Sequence, residues 1–337
     1  MASNIKMEGD IKAPSLVRRL GISSAELQIL AALVALVILF SLIFPQSFFS
    51  QITLTNMLRV AGILMVVSIG QSFALIVGGF DISVGATMGI ASVTAATLML
   101  AGVPIPMAIV AAIGAGSLIG FINGLGIAVM GVTPFVMTLG MLTFGRGLAD
   151  LIAGGSSLTG LPSAFALFGR SLWWGVPSAA CIAAIVAFFA WFILQRTRAG
   201  LYIYAIGGSH ETSRVAGVST MRYHILAYTI CGALAAVSGL MLTSRISVSQ
   251  GSLGTGYELL AVAAAVIGGV RIGGGVGRLI GVFLGVSLIT VLNTGLDIAG
   301  VNPFIQQMVT GTVLVVAVIV ANARSGSFRR LFRRKTE

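Results

Sequence analysis

Of the 20 Lys and Arg in this chain, 16 fall in four short segments, and long apolar runs hold those segments apart. If the runs cross a membrane, all four segments must share one side of it. Only 9% of the residues are charged and 57% are hydrophobic, whereas a soluble domain carries about 25% charged residues. The solvent for this fold is lipid.

A spanning helix needs roughly 20 mostly apolar residues. Ten candidates are read: 27–46, 59–77, 84–102, 105–130, 134–153, 173–195, 222–244, 257–270, 275–293 and 303–322. With the N-terminus inside, the inner segments collect Lys6, Lys12, Arg18 and Arg19, then Arg196, Arg198, Arg214 and Arg222. They also take Arg271 and Arg278, and Arg324, Arg329, Arg330, Arg333, Arg334 and Lys335 in the tail. Arg59, Arg170 and Arg245 are left outside, and Arg146 lies within a run. Basic residues collect on the cytoplasmic side, so both termini are expected there. Only 14 residues separate Gly256 from Arg271, a length that also suits a re-entrant piece. The charge pattern argues for a crossing, because otherwise the basic tail would end outside.

The expected fold is therefore an all-α polytopic bundle of about ten transmembrane helices. It comprises a cytoplasmic arm (1–26), a transmembrane domain (27–322) with a cytoplasmic loop at about 196–222, and a basic cytoplasmic tail (323–337). The first run starts too far into the chain, and lacks the small-residue cleavage site, for a cleaved signal peptide. The basic arms suit anionic lipid headgroups as well as simple orientation. No folded basic domain points to nucleic acid. Cys181 and Cys231 lie in apolar runs as small hydrophobes. His210 and His224 have no carboxylate or thiol cluster around them, so no metal or cofactor is expected.

Glycine occurs 44 times, often at spacings of four: Gly116, Gly120 and Gly124, and again Gly273, Gly277, Gly281 and Gly285. Small-xxx-small faces let helices approach closely in lipid. Gly116-Ser-Leu-Ile-Gly120 recurs as Gly277-Arg-Leu-Ile-Gly281, and each is followed by Gly-Val-x-Pro-Phe, at 131–135 and 300–304. An offset of five spans inverts one copy relative to the other, which suggests an inverted repeat of two five-helix halves. A second echo, Gly78-Gly79-Phe80-Asp81-Ile82 against Gly268-Gly269-Val270-Arg271-Ile272, follows another offset and cannot belong to the same duplication.

Two polar interruptions stand out. Gly78, Gly79, Asp81, Ser83 and Gly85 break an apolar stretch, and irregular backbone near lipid needs cover from protein or water. A mid-bilayer Asp costs about 2.5–3.5 kcal/mol, so Asp81 lies at the inner boundary or is paired. A turn whose Asp and Ser cap the next helix explains the motif equally well. Between the sixth and seventh runs, Ser209 suits a helix cap. Glu211 sits in the first turn, where the helix dipole favours an anion, and Gly217 suits the stop. His210, Thr212, Ser213 and Arg214 complete this short surface helix, which serves either a soluble motor or a plain connection.

Phe44-Pro45-Gln46-Ser47-Phe48-Phe49 leading to Asn56, Gly78 through Gly85, and Thr133-Pro134-Phe135-Val136-Met137-Thr138-Leu139-Gly140 together resemble the ribose/xylose-type monosaccharide ABC transporter permease family. Arg146-Gly147-Leu148, Gly154-Gly155-Ser156 and Gly207 through Gly217 extend the likeness over about residues 30–322. The resemblance implies a bacterial inner-membrane permease that works as a pair, with a second copy or a homologue. It also implies cytosolic ABC ATPase subunits and a periplasmic sugar-binding protein. Thr212-Ser213 departs from the two alanines common at that point.

For such an importer, Gln71, Asn123, Thr133, Phe135, Thr138, Asn293 and Asn302 are candidate lining groups for a polyol path, although each also suits a helix–helix hydrogen bond. Residues 209–217 would dock on the ATPase. The rival readings are an ABC permease for a nucleoside or branched-chain amino acid, and an ion-coupled secondary transporter using Asp81, Asp150, Glu258 and Asp297. Gly273-Gly274-Gly275 leads to Val276, Gly277 and Arg278 rather than to a Walker Lys-Ser/Thr, so the chain binds no nucleotide itself. It has no catalytic constellation and is expected to be a transport subunit rather than an enzyme.

Overall fold

The computed structural model describes residues 23–324. Most of the basic arm, including Lys6, Lys12, Arg18 and Arg19, and the tail from 325 onward lie outside the described residues. Each of the ten apolar runs falls on one helix: α1 Ser24–Ile43, α2 Gln51–Ile76, α3 Val84–Leu100, α4 Ile105–Ala128, α5 Pro134–Ile152 and α6 Ser178–Arg196 in the first part. After two connector helices, α7 Arg198–Gly208 and α8 His210–Val215, come α9 Thr220–Ile246, α10 Tyr257–Ile267, α11 Leu279–Ile298 and α12 Pro303–Arg324. The result is an all-α bundle of membrane helices. Its described strands are a two-stranded hairpin, β1 Leu172–Trp173 and β2 Val176–Pro177. Among the described residues, α1, α2, α4, α5, α6, α9 and α11 are long and apolar enough to cross a membrane, while α3 and α10 are shorter apolar helices.

Several boundaries differ from the sequence reading for local reasons. Helix α2 starts eight residues early because the Ser50 hydroxyl accepts from the Thr53 amide. Arg59 consequently lies on the helix, its guanidinium donating to the Arg170 carbonyl. The hairpin delays α6. At its tip Trp174 adopts φ 51 and is 96% exposed, and at the far end of α6 the Arg196 guanidinium stacks over Trp191. The loop read at 195–222 contains α7 as well as α8. Gly200, Gly207 and Gly208 hide α7 in the sequence, yet Gly200, Ile203 and Ile206 form a buried face. Gly273 and Gly277 precede α11, so half of the second glycine ladder is loop.

The most extensive packing is α9 on α4. A methyl group on Gly120 would strike the Tyr228 carbonyl, and one on Gly124 would lie 2.6 Å from the Ile225 Cα. Gly232 of α9 faces Gly116 and Gly120 in return. The two backbones touch because no side chain stands between them. Helix α3 packs on α4 and α5, as α10 packs on α11 and α12. Likewise α3 packs on α9 as α10 packs on α2. Gly131 and Gly300 have φ of 69° and 68°, and each precedes a helix that begins on proline.

The connectors gather at two ends. At one end the Gly275 amide donates to the Ile76 carbonyl, Gly274 abuts Gly207 and Gly78, and Arg278 pairs with Glu26 at 3.0 Å. At the other, Leu158 bridges Ser249 and the Gly169 amide donates to Ser244. Overpacking a tight interface costs about 1–3 kcal/mol. Gly120→Ala is therefore expected to lower the unfolding temperature of the detergent-purified protein by several degrees. Gly114→Ala, on an open face of the same helix, is expected to leave it unchanged or raise it.

Candidate functional site

Two features meet at the end that holds Gly78, Gly207 and Gly274. The first is the connector between α2 and α3. Helix α2 stops where Gly78 turns to φ 106, and its amide and that of Gly79 close back on Leu75 and Ala74. Asp81, 1% exposed, then accepts from the Ser83 amide at 2.8 Å and the Ser83 hydroxyl at 2.6 Å. Its second oxygen accepts from the Asn123 amide at 3.3 Å, and that amide also donates to the Ser83 hydroxyl at 2.9 Å. Gln71, oriented by its partners, donates to the Asp81 carbonyl and accepts from the Asp81 amide, each at 3.0 Å. The buried Tyr228 hydroxyl donates to the Phe80 carbonyl at 3.3 Å. Burial pushes the Asp81 carboxyl above the ordinary carboxylate range, and the bonds from Ser83 and Asn123 oppose that shift.

This knot corrects two expectations. Ser83 stands at the N-cap of α3 but its hydroxyl caps no helix amide, because its αR backbone turns it toward Asp81 instead. Gln71 and Asn123 are completely buried and hold the connector, so in this structure they do not line an open path. The methyl-free Gly79 admits Tyr228 and Pro134, and Gly85 admits Glu258. Phe135 reaches the same connector, its ring 6.2 Å from that of Phe80.

The remaining candidate lining residues lie apart. Thr133 is exposed at the N-cap of α5 without a side-chain bond, and the buried Thr138 donates back to the Pro134 carbonyl. Asn293 accepts from Thr310, tying α11 to α12, while Asn302 caps α12 through the Phe304 amide.

The second feature is the short helix α8. The Ser209 hydroxyl accepts from the Thr212 amide as expected of a cap, Gly217 turns at φ 78, and Ser213 is buried. Glu211 and Arg214 pair at 2.8 Å on the exposed face, which adds little stability in water. His210 lies edge-on to His224, ring centres 5.7 Å apart. The sequence reading passed over Val215, an apolar side chain 80% exposed at the tip of this helix. Its one signal was an unpaired hydrophobe in a polar loop.

Glycine joins the two features mechanically. Gly207 is pressed against the Ile76 carbonyl and the Gly275 amide, and Gly274 and Gly275 take φ of 84° and 72° to pass it. The end of α2, the end of α7 just before α8 and the turn before α11 thus form one contact. Among the described residues no group of three or more His, Cys, Asp or Glu could hold a metal.

Removing the Asp81 carboxylate strands the Ser83 and Asn123 donors, and each buried orphan costs about 1–3 kcal/mol. Asp81→Ala is expected to destabilise the purified protein clearly, and Asp81→Asn less, in a thermal unfolding series. Gly207→Ala is expected to lower stability as well, whereas Gly208→Ala, which meets nothing within 4 Å, is expected to be tolerated.

A family described as branched-chain amino acid transport system / permease component matches residues 53–318. The ribose import permease protein RbsC of Bacillus subtilis (strain 168) is 36% identical over 292 residues, 86% of this chain and 90% of that protein. RbsC of Escherichia coli (strain K12) is 35% identical over 301 residues, 88% and 93% of the two chains. The galactose/methyl galactoside import permease protein MglC of Haemophilus influenzae is 34% identical over 306 residues, 85% and 91% of the two chains. No solved structure matches the chain. With the family matched across the helical bundle and relatives covered nearly end to end, this chain belongs to the branched-chain amino acid transport system / permease component family.

Proposed function

We propose that this chain is the membrane subunit of an ATP-driven importer and forms the path for a monosaccharide handed over by a periplasmic binding protein. The relatives named for ribose and galactose, aligned over 85% or more of this chain, carry that reading. The chain has no nucleotide-binding loop, so ATP hydrolysis belongs to a separate cytosolic subunit. It sits in the bacterial inner membrane among lipids, with both termini and the end bearing α8 in the cytoplasm, as the positive-inside pattern directs. It works beside a second copy or a homologue. The organisation is an arm to residue 26, a transmembrane domain over 27–322 and a basic tail beyond.

All ten apolar helices cross in this reading, in two inverted halves of five. Supporting the repeat are the matched packing of α3–α4–α5 and α10–α11–α12 and the paired Gly131 and Gly300 turns. The first helices depart from it, α1 packing on α11 while α6 packs on α2. The echo of Gly78-Gly79 and Gly268-Gly269 belongs instead to two helix stops, closed alike by amides bonding back into the last turn.

Helix α8 docks on the ATPase through Ser209, His210, Glu211, Thr212, Arg214 and the Val215 tip, with Ser213 and Gly217 shaping it. Its displacement reaches α2 and the Asp81 connector through Gly207, as a rigid-body shift. An ion-coupled carrier is disfavoured because Asp81 is tied into its connector and Glu258 is paired with Arg146. Asp297 accepts from Gln306. The family description favours a branched-chain amino acid as the second substrate class, and a ligand screen on the cognate binding protein separates it from a sugar.

Swapping Glu211 and Arg214 would keep their pair, so Val215 offers the cleaner test. Val215→Asp is expected to leave folding intact while cutting sugar uptake at least ten-fold in proteoliposomes holding the ATPase and binding protein. Uptake that persists without the ATPase under a pH gradient would defeat the ATP-driven reading.

A further inference from the structure

Helix α10 has 11 residues, about 16 Å of rise against a hydrocarbon core of about 30 Å. The preceding segment 247–256 supplies the missing depth without a helix. Helix α9 ends with Ser247 at φ 58. Ser249 then meets Ser92 of α3 at 2.7 Å, Gly251 lies against Gly89, and Gly254 lies against Gly85. From Ser92 to Gly85 is about 10 Å along the helix axis. The segment therefore descends beside α3 as unwound chain, its glycines giving the close approach.

One side of this descent is buried and one is exposed. Ser249, Gly251, Leu253 and Gly254 are buried, whereas Gln250, Ser252 and Thr255 are exposed. Next to them, Arg146 lies twelve residues into α5, about 18 Å from its start. It pairs with Glu258 at 3.2 Å, yet its side chain remains 39% accessible. Thr143 and Asp150, one turn to either side, are exposed too. Lipid does not tolerate unwound backbone or ionised side chains on an open face, so this face is covered by water or by protein. We propose that it is water: Gln250, Ser252 and Thr255, with Thr143, Arg146 and Asp150, form one wall of the wet path. Its hydroxyls, amide and carboxylate would exchange hydrogen bonds with a neutral polyol. This rests on the importer reading and names residues for it that differ from the buried Gln71 and Asn123.

The test uses the complete complex with its ATPase and binding protein in proteoliposomes, in a Cys181→Ser, Cys231→Ala background. Ser252→Cys, Thr255→Cys and, on an exposed face of α6, Phe188→Cys are each treated with a charged methanethiosulfonate and with a hydrophobic maleimide. The charged reagent is expected to label positions 252 and 255 in at least one nucleotide state, and position 188 at least ten-fold more slowly. In the unaltered cysteine background, Gln250→Leu is expected to raise the KM for sugar uptake at least five-fold without changing the unfolding temperature, with Gln250→Asn closer to wild type. The proposal falls if positions 252 and 255 react only with the hydrophobic reagent in every nucleotide state. It falls equally if they cross-link between copies, or if Gln250→Leu leaves KM unchanged. Wild-type ATP-driven uptake on the same vesicles separates the two layers. Labelling without sugar uptake would sink the sugar reading and spare the wet wall, and uptake without labelling would do the reverse.

Discussion

In lipid, helices gain little by hiding apolar side chains from one another, so association depends on how closely their backbones approach. The contact of α4 with α9 is the place where this molecule meets that condition most fully. Gly116, Gly120 and Gly124 against Gly232 and the Tyr228 carbonyl bring the two main chains together. The same crossing places Asn123 and Tyr228 where each can reach the connector between α2 and α3. The buried polar knot around Asp81 is thus a consequence of a glycine face, and the irregular backbone at 77–83 survives there because protein satisfies it.

A second unwound piece, 247–256, obeys the same rule with a different outcome. Ser249 ties it on one side to Ser92 through its hydroxyl and to Leu158 through its backbone, while Gln250, Ser252 and Thr255 stay exposed on the other. One interruption is locked and the other open-faced, and the difference lies in their neighbours. The first faces Gln71, Asn123 and Tyr228, which are full-length polar partners. The second faces Gly85 and Gly89, which offer room and no bonds.

Much of this was legible in the sequence, since run length locates the long helices of the described residues and the four-spaced glycines of α4 mark its tight face. Ser209 and Gly217 bracket α8 as their chemistry requires. What could not be read was long-range. Gln71 and Asn123 look like lining groups until the fold brings them to Asp81, and Ser83 looks like a cap until its backbone angles turn it away. Helix α7 was hidden by three glycines whose low helix propensity is offset by a buried face. Segment 247–256 reads as an ordinary outer loop because Ser, Gly and Thr serve turns and unwound crossings alike.

Helix α6 carries a consequence for the surroundings of the molecule. Its 19 residues span about 28 Å, bounded by the exposed Trp174 hairpin at one end and the Arg196–Trp191 stack at the other. Aromatic and basic side chains of this kind favour the headgroup zone, so the helix acts as a gauge of acyl-chain thickness. Because α6 is fastened along α2, it has no freedom to lean by itself. A thicker or thinner bilayer must recline the entire bundle or stretch the lipids beside it, making the transporter's posture answer to membrane composition.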